Sequence, residues 1–140
     1  GSALYDAMVV VPCSAGALAR IAYGTSSDLV GRAADVMLKE RRKLVLVARE
    51  MPLSEIHLEN MLKLARMGVT IIPPMPAFYN HPKSINDIVD HIVVRVLDQF
   101  GISAPFAKRW DGHMESSSRT TSGGAKTRIY EEKHDPRCGY

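Results

Sequence analysis

Cysteine is scarce in this sequence and forms no pattern: Cys13 and Cys138 stand far apart, with no CxxC spacing and no histidine pair to complete a zinc site. A reduced, cytoplasmic protein without a metal centre is the reading that follows. Long apolar runs are missing too. Nothing approaches the roughly 20 apolar residues that cross a bilayer, and the N-terminus lacks the basic-then-apolar order of a secretory signal, so the chain reads as soluble. Charge of one sign is not in excess either. With 18 basic against 15 acidic residues the formal net charge is +3, which suits a phosphorylated ligand and is far from the polybasic footprint of a nucleic-acid binder.

What is present is enough apolar residue for one core. Across 140 residues, 46% are hydrophobic and 24% charged, which points to a single globular domain. Ala7-Met-Val-Val-Val-Pro-Cys13 reads as a strand buried on both faces, as in a parallel sheet. Small residues follow from Ser14, with Leu18 and Ile21 at helical spacing, so a helix is expected with Ser14 as its cap. Gly24 to Gly31 reads as a loop, and Ala33, Ala34, Val36, Met37 and Leu38 form one side of an amphipathic helix. Its basic end, Lys39 to Lys43, suits the helix dipole. Leu44–Ala48 is a second strand, Ser54–Met67 a helix, Val69–Ile72 a third strand, and Ile85–Phe100 a long helix opened by Ser84.

Strands alternating with helices predict an α/β fold with a parallel sheet, helices on both faces, and ligand sites at the carboxyl ends of the strands. Three segments fall there: Pro12 to Ala17, Arg49 to Leu53, and Pro73 to Tyr79. After Trp110-Asp-Gly112 the composition shifts to Ser, Thr, Gly and mixed charge. Residues 1–112 are therefore expected to form the domain, and 113–140 a flexible tail without chemistry of its own.

Each candidate segment has a plain reading beside a functional one. Ser14-Ala-Gly-Ala17 is an N-cap, or a cradle of backbone N–H groups that a phosphate can approach closely. Arg49-Glu50 is a surface ion pair, or a charged pair set at a strand end for a ligand. The prolines of Pro73-Pro-Met-Pro-Ala-Phe-Tyr79 stiffen a loop whose aromatics either fill core or face a ligand. Arg95, set among Ile92, Val93, Val94, Val96 and Leu97, either snorkels to solvent or meets an anion. His57, His81 and His91 have no metal-site spacing and are assigned no catalytic role.

Taken together, Val10-Val-Pro-Cys-Ser14, Gly31-Arg-Ala-Ala-Asp-Val-Met-Leu-Lys-Glu-Arg41, Leu44-Val-Leu-Val-Ala-Arg-Glu-Met-Pro-Leu53, Pro73 to Tyr79 and Arg95-Val-Leu-Asp-Gln-Phe100 resemble the UbiX/Pad flavin prenyltransferases along residues 7–112. Met51-Pro-Leu-Ser-Glu-Ile-His-Leu-Glu-Asn-Met61 looks most like the branch that accompanies phenolic-acid decarboxylases. The resemblance implies a Rossmann-like, three-layer flavoprotein fold of the HFCD type. It also implies joining of a dimethylallyl group, from dimethylallyl phosphate, to reduced FMN. The prenylated FMN so formed is the cofactor of UbiD-type decarboxylases, and no metal is required. Ser14, Ala15, Gly16, Ala17, Arg32 and Arg49 match positions that hold FMN. Lys39, Arg49, Glu50, Tyr79 and Arg95 match positions around the dimethylallyl phosphate, and Trp110 matches an aromatic wall.

Such a set suits the chemistry. Breaking an allylic C–O bond sheds a phosphate whose growing charge must be met by cations and a proton source. Lys39, Arg49 and Arg95 can supply the cations, Tyr79 a hydroxyl, Glu50 the proton transfer, and Trp110 a π face for an allylic cation. Relatives assemble as homo-oligomers, as large as dodecamers, with sites at subunit interfaces. No family-type first strand and FMN loop precede Ala7, so an N-terminally truncated form with an unpaired sheet edge is expected. Gly16-Ala17 also departs from the larger residue and Thr often found there, at a cost of at most one hydrogen bond. Two other functions are weighed beside this one: a non-enzymatic partner subunit of a phenolic-acid decarboxylase, and a flavin-dependent cysteine decarboxylase, whose Asn-containing loop motif is absent.

Overall fold

A computed structural model describes residues 5–105. Its elements run in the expected order: β1 (Ala7–Cys13), α1 (Ala15–Tyr23), α2 (Leu29–Lys39), β2 (Lys43–Ala48), α3 (Glu55–Arg66), β3 (Thr70–Ile71) and α4 (Ile85–Asp98). Trp110 and the segment 113–140 lie outside the described residues.

The three strands form one parallel sheet in the order β1-β2-β3. Ala7 to Val10 pair in register with Lys43 to Leu46. The ladder then slips before Cys13 meets Ala48. The slip spans Pro12, which has no N–H to give to a ladder. β3 is shorter than the apolar stretch Val69–Ile72 suggests. Thr70 and Ile71 pair with Val45 and Leu46, Ile72 N–H still reaches Leu46 O at 2.8 Å, and Pro73-Pro74 then ends the donors.

Every helix carries a side-chain cap at its start. Ser14, Asp28, Ser54 and Ser84 accept from the backbone N–H three residues on. Asp28 moves one boundary. Its carboxylate takes the Gly31 N–H at 2.7 Å, so Leu29 to Gly31 become the first turn of α2 instead of the end of a loop. Glycine lets Gly31 sit tight against the preceding turn, because a Cβ would come within 2.9 Å of Ser26 Cβ and 3.2 Å of its Cα and force that turn to shift. His57 completes a reciprocal cap on α3: its Nδ1 accepts the Ser54 N–H at 3.0 Å while Ser54 Oγ accepts the His57 N–H.

The core is built on β2. Leu44, Leu46 and Ala48 face a cluster with Val10, Leu18, Ile21, Ala34, Met37 and Leu64. Val45 and Val47 alternate to the opposite face and are buried as well. Full burial of each such side chain contributes about 1.5–3 kcal/mol. β1 departs from the two-faced burial its sequence suggests. It is an outer strand of the described sheet, and Val9 and Val11 are 37% and 62% exposed on the face away from Val10. Among the described residues no helix is long and apolar enough to cross a membrane.

Candidate functional site

The carboxyl edge of the sheet gathers two of the expected segments. The Arg49 N–H donates to Cys13 O at 3.4 Å, which ties the end of β2 to the end of β1. Ser14 to Ala17 and Arg49-Glu50 are thereby neighbours, and all but Ala15 and Ala17 among them are exposed. At the N-terminus of α1, Ser14 Oγ takes the Ala17 N–H at 3.1 Å and Ser14 O takes that of Leu18. The Ala15 and Gly16 N–H groups precede any intrahelical acceptor, so they point outward with the positive end of the helix.

Arg20 adds a cation that the sequence reading did not single out. A Cβ built on Gly16 would stand 3.4 Å from Arg20 Nη1 and 3.9 Å from Ser14 Oγ, so this guanidinium lies alongside the helix N-terminus. Arg20 also reaches the Asp28 carboxylate at 4.0 Å. Its signal in the sequence was the spacing, since residues four apart share a helix face. Cys13 is buried beside this group. Burial pushes its thiol above its ordinary pKa, and the Arg20 charge offsets part of that.

Glu50 does not pair with Arg49. Its Oε1 accepts the Met51 N–H at 3.1 Å, which holds the carboxylate at the strand end while leaving it exposed. The third segment follows β3 with its aromatics outside the core. Phe78 and Tyr79 are 67% and 61% exposed and do not fill core. Tyr79 meets the His91 ring edge-on, with centroids 6.2 Å apart. Arg95 stands one turn beyond His91 on the same face of α4, exposed, with Asp98 at 3.6 Å. Tyr79 and Arg95 therefore flank one stretch of α4.

Arg32 and Lys39 are placed elsewhere. Arg32 shares an apolar groove of about 540 Å³ with Tyr5, Ala7, Met8, Leu29 and Val36, beside the first half of β1. Lys39 ends α2 immediately before the turn into β2, with Glu40 at 3.5 Å. Lys43 and Ala48 are separated by about 17 Å along the strand. Lys39 and Glu50 thus lie at opposite ends of β2 and cannot meet at one phosphate within one copy of the chain. Among the described residues no group of three or more His, Cys, Asp or Glu side chains could hold a metal ion.

A parallel sheet in this order, with a helix N-terminus, cations and a carboxylate at its carboxyl edge, defines a Rossmann-like α/β protein. The chain belongs to the Flavoprotein family, whose model matches residues 2–97. It is 66% identical over 112 residues to a probable UbiX-like flavin prenyltransferase of Escherichia coli O157:H7, covering 80% of this chain and 57% of that protein. A dodecameric FMN-dependent UbiX-like decarboxylase from the same organism superposes with a TM-score of 0.76 at 66% identity, over 78% of this chain and 59% of that one. AnUbiX (PadA1), solved with FMN and dimethylallyl pyrophosphate, gives 0.78 at 55% identity, over 81% and 60%. The chain therefore spans less than two thirds of the length of these relatives.

Proposed function

We propose that this chain carries the greater part of a flavin prenyltransferase site, one that joins a dimethylallyl group to reduced FMN for use by a UbiD-type decarboxylase in the cytoplasm. The observation that carries this reading is the junction of β1 and β2. It sets Ser14 to Ala17, with outward N–H groups and Arg20, beside Arg49 and Glu50. That donor set suits a flavin bearing a phosphate and carbonyl oxygens, and the small side chains leave room for close approach.

When bound, reduced FMN supplies the ring atoms that receive the allyl group. The chain's own residues have to bind the phosphate of the donor, offset the charge that builds on it, and move a proton. Arg49 and Arg95 are fixed cations for that purpose, and Tyr79 offers a hydroxyl. Glu50, anchored by the Met51 N–H, keeps its other oxygen for proton exchange with the departing phosphate.

Three groups of residues have to converge: Ser14 to Ala17 with Arg49 and Glu50, Tyr79 with Arg95, and Arg32 with Lys39. The separation of Lys39 from Glu50 along β2 favours a homo-oligomer in which neighbouring copies complete each other's sites. The dodecameric relative supports such an assembly.

An anaerobic assay of the chain with reduced FMN tests the reading. Dimethylallyl phosphate and dimethylallyl pyrophosphate are the two donor arms, and prenylated flavin is followed by mass. Glu50→Gln keeps an oxygen for the Met51 N–H and removes the exchangeable proton, so product formation should fall by at least about 100-fold. A mutant that equals the wild type would sink the role of Glu50. A chain that makes no product, while the E. coli relative does in parallel, would leave the partner-subunit reading in its place.

A further inference from the structure

We propose that His91 is a positioning residue that, through Asn80, fixes the turn carrying Tyr79. The proposal rests on the reading above in one respect, that Tyr79 meets the dimethylallyl donor. Its motive is a gap in what the prolines can do. Pro73, Pro74 and Pro76 stiffen the first half of the loop, but the aromatics come after them. Phe78 O accepts the His81 N–H at 3.1 Å, which makes Tyr79 and Asn80 the central residues of a tight turn, and His81 leaves it with φ at 53°. A turn of this kind sets the backbone locally but does not decide where the pair points relative to α4.

Both central residues converge on His91. Asn80 Nδ2 lies 3.5 Å from His91 Nδ1, and the Tyr79 ring stands perpendicular to the imidazole. With the amide nitrogen toward the ring, Asn80 donates and Nδ1 accepts, so the ring proton sits on Nε2. Asn80 Oδ1 is buried and has no hydrogen-bond partner among the described residues. The opposite amide orientation would turn that oxygen onto an Nδ1–H, so the two side chains are bonded in either arrangement. Arg95 follows His91 by one helical turn. The imidazole therefore meets Tyr79 one helical turn before Arg95 on the same face of α4, so a fixed turn keeps the hydroxyl and the guanidinium in one neighbourhood for a single phosphate. His91 touches no reacting atom in this scheme. Its effect falls on how well the donor is held, since loss of a contact shared by bound donor and transition state raises KM and leaves kcat nearly unchanged.

The test pairs Asn80→Ala with His91→Phe, which keeps an aromatic edge for Tyr79 and lacks the nitrogen. In chain labelled with ¹⁵N-histidine and ¹³C-tyrosine, Asn80→Ala should move the Nδ1 signal of the one histidine that is missing in His91→Phe. Both variants should move the Tyr79 ring signals. In the prenylation assay each should raise KM for dimethylallyl phosphate about twofold to tenfold, the loss expected for one neutral hydrogen bond, with kcat changed less than about twofold. The double variant should be no worse than either single one. His91→Gln, whose Oε1 can accept the same bond, should recover the KM. Unmoved Nδ1 and Tyr79 signals would overturn the proposal, and so would additive KM effects. If the wild-type chain makes no product, the functional reading fails by itself, and the Tyr79 signals still decide whether His91 fixes the turn.

Discussion

β1 and β2 are nearly alike on paper, two short runs of valine with methionine, leucine and alanine, yet they differ in what they bury. Every residue of β2 from Leu44 to Ala48 is buried, whereas β1 buries Val10 and Cys13 and leaves Val9 and Val11 open. The difference is one of place. β2 has a strand on either side and apolar neighbours on both faces. β1 has a paired strand on one side only among the described residues. Composition tells that a segment can be buried, and the neighbours decide how much of it is.

The largest expected effect follows from that contrast. Leu46→Ala removes a fully buried side chain from the middle of the cluster and should lower stability by about 2–5 kcal/mol. Val11→Ala should stay within about 0.5 kcal/mol. Urea titrations of the two variants measure the gap. Equal losses would mean that something covers the outer face of β1 in solution. Gly31→Ala comes next. Alanine favours a helix by about 1 kcal/mol, but the new methyl runs into Ser26, so a net loss of about 1 kcal/mol is expected. A more stable variant would show that the turn from Gly24 to Asp28 yields easily.

At the candidate site the same contrast separates support from chemistry. Ser14→Ala should cost about 1 kcal/mol by freeing the Ala17 N–H, while Ser14→Gly should cost only a few tenths. If both reduce FMN affinity alike, the hydroxyl itself serves the flavin. If only the alanine variant does, Ser14 acts through the helix start.

Much of this was legible in the sequence. Capping serines, the proline stop after β3 and the order of elements are local signals, and the structure keeps them. Two of the motifs that carry the family resemblance, Val10 to Ser14 and Leu44 to Leu53, also meet at the predicted carboxyl edge, whereas Gly31 to Arg41 runs along α2 away from it. Less legible were features that depend on the folded geometry. Asp28 claims three residues for α2 that look like loop, and Arg20 reaches Gly16 only because α1 is helical. His91, bland by metal spacing, gains its interest from Asn80 and Tyr79, which the chain brings back from eleven and twelve positions earlier. The distance between Lys39 and Glu50 could not be read from motifs at all, since a motif matched to a family says nothing of which copy supplies it.

The smallest effect expected concerns Cys13, and it sets the two faces of β1 against each other once more. The buried thiol has a pKa above its ordinary value of 9.0 because burial disfavours the thiolate, with Arg20 pulling the other way. A raised folded pKa means that the stabilising contribution is fully present below the unfolded value and is lost as pH climbs past it through the folded one. Wild-type stability should therefore fall more steeply above about pH 9 than that of Cys13→Ala, by a modest margin because Arg20 offsets part of the shift. A cysteine introduced by Val11→Cys, two residues away on the open face, should show no such slope. It should also be alkylated faster than Cys13 at about pH 8, as followed by peptide-resolved mass spectrometry. Matching rates at the two positions would mean that the end of β1 opens readily, and that the junction holding Arg49 to Cys13 is looser than its hydrogen bond implies.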